Sequence, residues 1–294
     1  MKPSACILRL LSSWDQLWYA PTDRQRLGAF RVTLVLSMFP YFLYNWSHAI
    51  EWLTPSGFHP RCELLHPLRC PFPVPLLDQS LLPFFAVIFF GSQLALLFGW
   101  KLRVSALVAF LSAYYVTRVD HHAAFSPNHV YVVTLFVFTI AAWQPPIGTS
   151  LSGERKLYAA WPERVLQATL LVFYFSCGMV KLIYGDWLDQ PHLLRIFADG
   201  IYRTSAALVL IQNVSLGWWS AAQYFALAVE LALPILFLVR KLRPIAFTLG
   251  LIFHLSIGIL LSGLMYFSVE LIAFYVLFLD ASTISRVGSY FRKR

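Results

Sequence analysis

The chain has 294 residues, of which 59% are hydrophobic and 13% charged, and its net charge is +9. A soluble domain carries about a quarter of its residues as charged side chains. Half that proportion, with a mean hydropathy of +0.64, excludes the soluble class and indicates a polytopic membrane protein. The positive charge lies in short clusters between apolar runs rather than along a basic stripe. That pattern sets membrane orientation and gives no reason to expect a nucleic-acid partner.

The opening stretch, MKPSACILRLLSSWDQLW, lacks the uninterrupted apolar core of a signal peptide because Arg9 and Asp15 break it. Its apolar residues Ile7, Leu10, Leu11, Trp14, Leu17 and Trp18 recur at helical spacing, which predicts an amphipathic helix along the membrane surface. Eight apolar spans follow, at about 28–46, 82–100, 103–118, 129–146, 165–184, 218–239, 244–262 and 264–280. The last two are joined by almost nothing, so seven spans plus a re-entrant segment is the alternative. No internal repeat stands out. The expected fold is an all-α transmembrane helical bundle with an N-terminal interfacial helix, forming one domain over 1–294.

Sixteen Lys and Arg residues fall in the N-terminal segment, the C-terminal segment and the loops on their side, against five near or in the opposite loops. The positive-inside rule then puts both termini in the cytoplasm and turns the loops at about 47–81, 119–128 and 185–217 outward. The first of these holds Cys62 and Cys70, a pair that an oxidising compartment could close into a disulfide.

Ionisable and polar residues inside the spans gather toward the outward side. Lys181 lies in FYFSCGMVKLIYGDWL, after about four turns of apolar helix. A charge there costs at least a few kcal/mol unless compensated. Either its stem carries the ammonium to the interface or the residue has a functional role. Asn128 and His129 open the fourth span after Ser126-Pro127, where Asn128 could simply cap the helix and His129 sit among headgroups. Glu230 and His254 lie near the middle of their spans, too deep to reach an interface, and read either as a structural pair or as part of a site. Asp120, His121 and His122 end the third span, but the usual metal-ligand spacings are absent and no metal is expected. No P-loop, Gly-x-Ser-x-Gly elbow or dinucleotide fingerprint occurs.

Four segments together resemble one family. YFSCGMVKLIYGDWL is similar to the lysine-bearing segment of the vitamin K-dependent gamma-carboxylases and their bacterial HTTM relatives, which reads Gly-x-x-Lys-Leu followed by Asp-Trp. AFSPNHVYVVTLFVF resembles the Asn-His-x-Tyr segment, with Asn128, His129 and Tyr131 at the matching positions. LIFHLSIGILLSGLMYFSVELIAFYVLFLD is similar to the family's helix with a central His, here His254, and the span after it. DRQRLGAFRVTLVL resembles its opening span with a Phe-Arg pair.

The resemblance implies a mechanism in which Lys181 is the base toward a reduced quinone such as vitamin K hydroquinone, with O2 and CO2 as co-reactants. His129 would hold charge on the quinone oxygen, while Asn128, Tyr131, His254, Glu230, Asp120 and His121 would support the site or bind substrate. Two departures stand out. Gly185 lengthens the gap between Lys181 and Asp186-Trp187 by one residue, and only about fourteen residues follow the last span, where animal carboxylases carry a large lumenal domain. Propeptide selection through such a domain is therefore not expected. The expected function is a membrane enzyme that modifies a secreted peptide or protein at the outward face. The alternative is a non-catalytic maturation or export factor for a secreted peptide, of the sporulation-delaying toxin maturation type.

Overall fold

The computed structural model describes residues 5–57, 59, 74–119, 126–149 and 156–292. Helix dominates, as the composition requires of a chain whose backbone must satisfy its own hydrogen bonds in lipid. Contacts divide the chain into two compact units, Met1–Arg164 and Val165–Arg294.

The first unit opens with α1 (Ala5–Tyr19), whose Trp14 and Leu17 are exposed, as an interfacial helix requires. Next comes α2 (Gln25–Asn45), which continues through a 3-10 turn into α3 (Ala49–Leu53). The remaining long helices are α4 (Leu82–Phe98), α5 (Leu102–Val119) and α6 (Ser126–Trp143), packed in the series α2 on α4, α4 on α5 and α5 on α6. Small residues explain the last contact, because Ser105, Ala106, Ala109, Ser112 and Ala113 are all buried on one face of α5 and let the backbones approach. Phe30, Leu34, Met38, Phe89 and Leu135 fill the core of the unit and are fully buried.

The apolar pattern gave no sign of a small antiparallel sheet, which the structure adds to this helical unit. β3 (Lys156–Ala159) lies between β1 (Pro21–Thr22) and β2 (Gly148–Thr149), with Thr22 opposite Tyr158 and Gly148 opposite Leu157. Charged side chains fasten it to the helix ends. Arg24 adopts a left-handed conformation (φ 60°), donates to Gln144 Oε1 at 2.5 Å and places its guanidinium 3.7 Å from the centre of the Tyr158 ring. Burial lowers the Arg24 pKa from its ordinary value, and the neighbouring Tyr158 and Glu163 oppose that effect. Glu163, at the first turn of α7 (Trp161–Tyr184), is buried and accepts from Arg26 Nη1 at 3.2 Å and Thr22 Oγ1 at 3.3 Å.

The second unit contains the rest of α7, the short α8 (Leu193–Ala198) and α9 (Ser205–Asn213), then α10 (Leu216–Leu238), α11 (Arg243–Leu260), α12 (Met265–Phe274) and α13 (Ala281–Arg292). α10 packs on α11, and α11 on α12. Among the described residues, seven helical stretches are long and apolar enough to cross a membrane. The eighth expected span falls on Ser262–Phe278, a shorter apolar stretch built from a 3-10 turn, α12 and a second 3-10 turn. At 1.5 Å per residue it covers only about 25 Å of a core about 30 Å thick. Its irregular ends are tied by protein partners. Ser262 N–H donates to the Tyr202 carbonyl at 3.0 Å, and Gln167 Nε2 donates to the Leu277 carbonyl at 2.6 Å.

Replacing Glu163 leaves Arg26 facing a buried void in place of its carboxylate. Glu163→Ala is expected to lower stability by about 3 kcal/mol, read as a fall in the thermal unfolding midpoint in detergent, whereas the exposed Glu51→Ala should change little.

Candidate functional site

The candidate site is built on one stripe of α7. Tyr174, Cys177, Gly178 and Lys181 recur at the i, i+3, i+4, i+7 spacing that lines one helical face. Gly178 lets α10 come close, since a Cβ there would lie 2.7 Å from Leu231 Cδ2 and 3.4 Å from Glu230 Cβ. Across that contact Lys181 Nζ donates to Glu230 Oε1. The Glu230 side chain is 6% exposed and that of Lys181 27%, so the pair sits at the edge of the protein interior. Lys181 therefore finds its compensation in a carboxylate on a neighbouring helix.

A second partner comes from the turn after α7. Asp186 takes a left-handed conformation (φ 54°), and its carbonyl accepts from Gln190 N–H at 2.8 Å. Gly185 sits so close to the helix end that a Cβ would be 2.8 Å from Lys181 Cα and 3.0 Å from Trp187 Cδ1. The additional glycine thus allows a turn that folds Trp187 back, bringing its ring centre to 5.0 Å from Lys181 Nζ. Gln223 of α10, fully buried, holds this turn. Its Nε2 donates to the carbonyls of Trp187 at 2.6 Å and Gln190 at 2.9 Å, while its Oε1 accepts from Leu194 N–H at 3.0 Å.

Deeper in the same unit, the Tyr174 hydroxyl bridges His254 Nε2 at 2.6 Å and the Tyr275 hydroxyl at 2.7 Å. Gly250, one turn before His254, makes room for this triad, since a Cβ would fall 2.0 Å from Tyr275 Oη. Buried polar atoms of this unit without a protein partner among the described residues include Glu230 Oε2, His254 Nδ1, Trp219 Nε1 and Ser268 Oγ. Glu270 on α12 is fully buried, and among the described residues neither of its carboxylate oxygens has a hydrogen-bond partner. Pro234 has no N–H, so the carbonyl of Glu230 receives no helical hydrogen bond. Beside Leu194 lies an apolar cavity of about 560 Å³, walled by Leu210, Trp218, Trp219, Ile259 and Leu260, with Ser256 among its few polar residues.

The first unit holds a separate polar cluster. Asn128 is buried and accepts from the Tyr41 hydroxyl at 2.7 Å, and the buried Tyr131 hydroxyl donates to Gln93 Oε1. His129 stands on the opposite side of α6, exposed in line with Val133 and Phe136. Lys181, Glu230 and His254 thus fall in the second unit, and Asn128, His129 and Tyr131 in the first. Asp120, His121, Cys62 and Cys70 lie outside the described residues. Among the described residues no three His, Cys, Asp or Glu side chains gather as a metal site. The sequence reading overlooked Tyr275, Gln223 and Trp187 as parts of the site. Trp187 could have been found from its place in the Asp-Trp step.

A family model for the HTTM domain matches residues 19–282, nearly the whole chain. The chain belongs to the HTTM-domain family. The match runs from the end of α1 to the start of α13 and takes in both polar clusters. No curated protein and no solved structure matches the chain.

Chemically, the lysine site of this HTTM protein couples a cation, a carboxylate and an aromatic face at the rim of a dry interior. Glu230→Leu strands Lys181 without its counter-charge and is expected to cost about 3 kcal/mol of stability. Adding Lys181→Met should restore most of that loss in a double-mutant cycle of thermal unfolding. Gly250→Ala is expected to cost about 1–3 kcal/mol, because Tyr275 must leave the Tyr174 hydroxyl or the helices must part. The same unfolding measurement reads it.

Proposed function

We propose that this HTTM protein is a membrane-embedded enzyme of the carboxylase-like type in which Lys181 acts as the base toward an apolar, reduced-quinone-like cosubstrate. A peptide or protein at the outward face is its second substrate, and both termini lie in the cytoplasm. The pairing of Lys181 with Glu230 carries the reading. A lysine serves as a base only after giving up its own proton, and Glu230 is placed to take it. Moving the proton from Lys181 Nζ to Glu230 Oε1 turns an ion pair into a neutral pair, which a dry site tolerates better than separated charges. Nζ then has a lone pair for an incoming acidic proton.

A hydroquinone fits the residues present in two respects. Glu230 Oε2 is a buried acceptor with no protein partner among the described residues, suited to a hydroxyl donor, and the apolar cavity beside Leu194, whose walls do not include Lys181 or Glu230, offers room for a hydrocarbon tail. Lys181 and Glu230 would hold the head, with Trp187 closing over the ammonium side. When bound, such a group supplies the reducing equivalents for reaction with O2, and CO2 is the co-reactant if the product is a carboxylated glutamate. Tyr174, Tyr275 and His254 keep water out behind the pair and fix the face of α7. In the first unit, Asn128 and Tyr131 anchor α6 through Tyr41 and Gln93.

In membranes supplied with a hydroquinone, Lys181→Ala is expected to lower hydroquinone-dependent O2 uptake by about 100-fold or more, with the protein still inserted and folded. A co-expressed secreted peptide should gain the mass of a carboxyl group or an oxygen only with the parent chain. Full O2 uptake by Lys181→Ala overturns the reading, and peptide maturation independent of Lys181 indicates a non-catalytic helper instead.

A further inference from the structure

The Phe-Arg pair of the opening span, Phe30-Arg31, has no part in the lysine site, yet Arg31 is a cation within a membrane-crossing helix. Its guanidinium packs against the turn between α4 and α5. A Cβ at Gly99 would lie 2.5 Å from Arg31 Nη1 and 3.3 Å from Cζ, so the end of the guanidinium lies directly against the glycine. The same glycine takes φ +72° and closes α4 through its N–H to the carbonyls of Ala95 and Leu96. Arg31 Nε is buried without a hydrogen-bond partner, and among the described residues Arg31 forms no ion pair. Two residues past Gly99, Lys101 adopts φ 41° and holds its exposed ammonium 5.3 Å from the Trp100 ring, also with no carboxylate partner among the described residues. Two cations thus flank one turn with no anionic partner among the described residues.

A groove leads away from that turn. It has a volume of about 370 Å³ and runs between α4 and α5 over Gly91, Ser92, Ala95 and Ser105, ending at Trp100 and Lys101. Its floor is open, since a Cβ at Gly91 would meet nothing within 4 Å. Ser92 and Ser105 donate to carbonyls of their own helices, Phe89 at 2.8 Å and Leu102 at 3.3 Å, so the walls present hydrocarbon. From Val87 at one end to the close of α4 the groove spans about 16 Å at 1.5 Å per residue, close to half of a hydrocarbon core about 30 Å thick.

We infer that this groove is a binding site for one anionic phospholipid, with an acyl chain along α4 and α5 and its phosphate on Lys101, at the turn that Arg31 also reaches. The length matches a single leaflet, the uncompensated cations match a phosphate, and Trp100, just past the end of α4, is the residue type that concentrates at headgroups. The turn belongs to the Lys/Arg-rich side of the chain, which in the proposed orientation faces the cytoplasmic leaflet where anionic lipids gather. The site is independent of the lysine chemistry.

The test uses the full chain, delipidated in detergent, with phosphatidylglycerol, phosphatidylcholine or inorganic phosphate added. Retention is read by native mass spectrometry and stability by the thermal midpoint. Phosphatidylglycerol should be retained about tenfold better than phosphatidylcholine, and phosphate alone should not stabilise. Lys101→Ala and Arg31→Gln should each cut the anionic preference by about fivefold. Gly91→Leu, which fills the groove without touching a charge, should weaken both lipids. Positions 101 and 91 are exposed, so their variants report whether or not Arg31→Gln folds. Equal retention of the two lipids, stabilisation by phosphate equal to that by lipid, or an unchanged preference in Lys101→Ala overturns the inference.

Discussion

A charge inside a hydrocarbon layer must be neutralised by something the fold itself brings, and the second unit is arranged around that requirement. Lys181 meets Glu230 only because Gly178 lets two helices approach, and it meets Trp187 only because Gly185 lets the chain turn sharply. Gln223 then holds the turn through three hydrogen bonds to its backbone. Each of these residues acts on the lysine through geometry rather than chemistry. The ion pair depends on the packing, and the packing tolerates the buried carboxylate because the half-buried ammonium meets it at the edge of the interior.

The first unit follows the same logic with neutral groups. Asn128 and Tyr131 turn inward to Tyr41 and Gln93, and a seam of small residues on α5 admits α6 closely enough for a dry interior. At the helix ends, Arg26 and the sheet residue Thr22 both donate to Glu163, and Arg24 donates to Gln144 while stacking on Tyr158 of the three-stranded sheet. The HTTM-domain match covers residues of both units.

Much of this was legible in the sequence, for a definite reason. Twenty-residue apolar runs have few alternatives in water or lipid, so the helices, the interfacial helix and the short final span could all be anticipated. The sheet could not, because strands of two to four residues carry no alternation to read. Lys181 and Glu230 were each conspicuous, but a separation of 49 positions along the chain hid their pairing. Tyr275 and Gln223 escaped notice because one more aromatic or amide means little in a chain that is 17% aromatic. His129 shows the converse. Its motif drew attention, yet the helical period turns its neighbours Asn128 and Tyr131 inward and leaves the imidazole on the outer face.

Pro234 gives the arrangement a mechanical side. By withholding a hydrogen bond from the carbonyl of Glu230, it weakens α10 at the residue that faces the lysine. The helix still runs unbroken from Leu216 to Leu238, one hydrogen bond short beside the acceptor of the ion pair. The residue that answers the lysine with its side chain is therefore also the one whose backbone carbonyl the proline leaves without a helical donor.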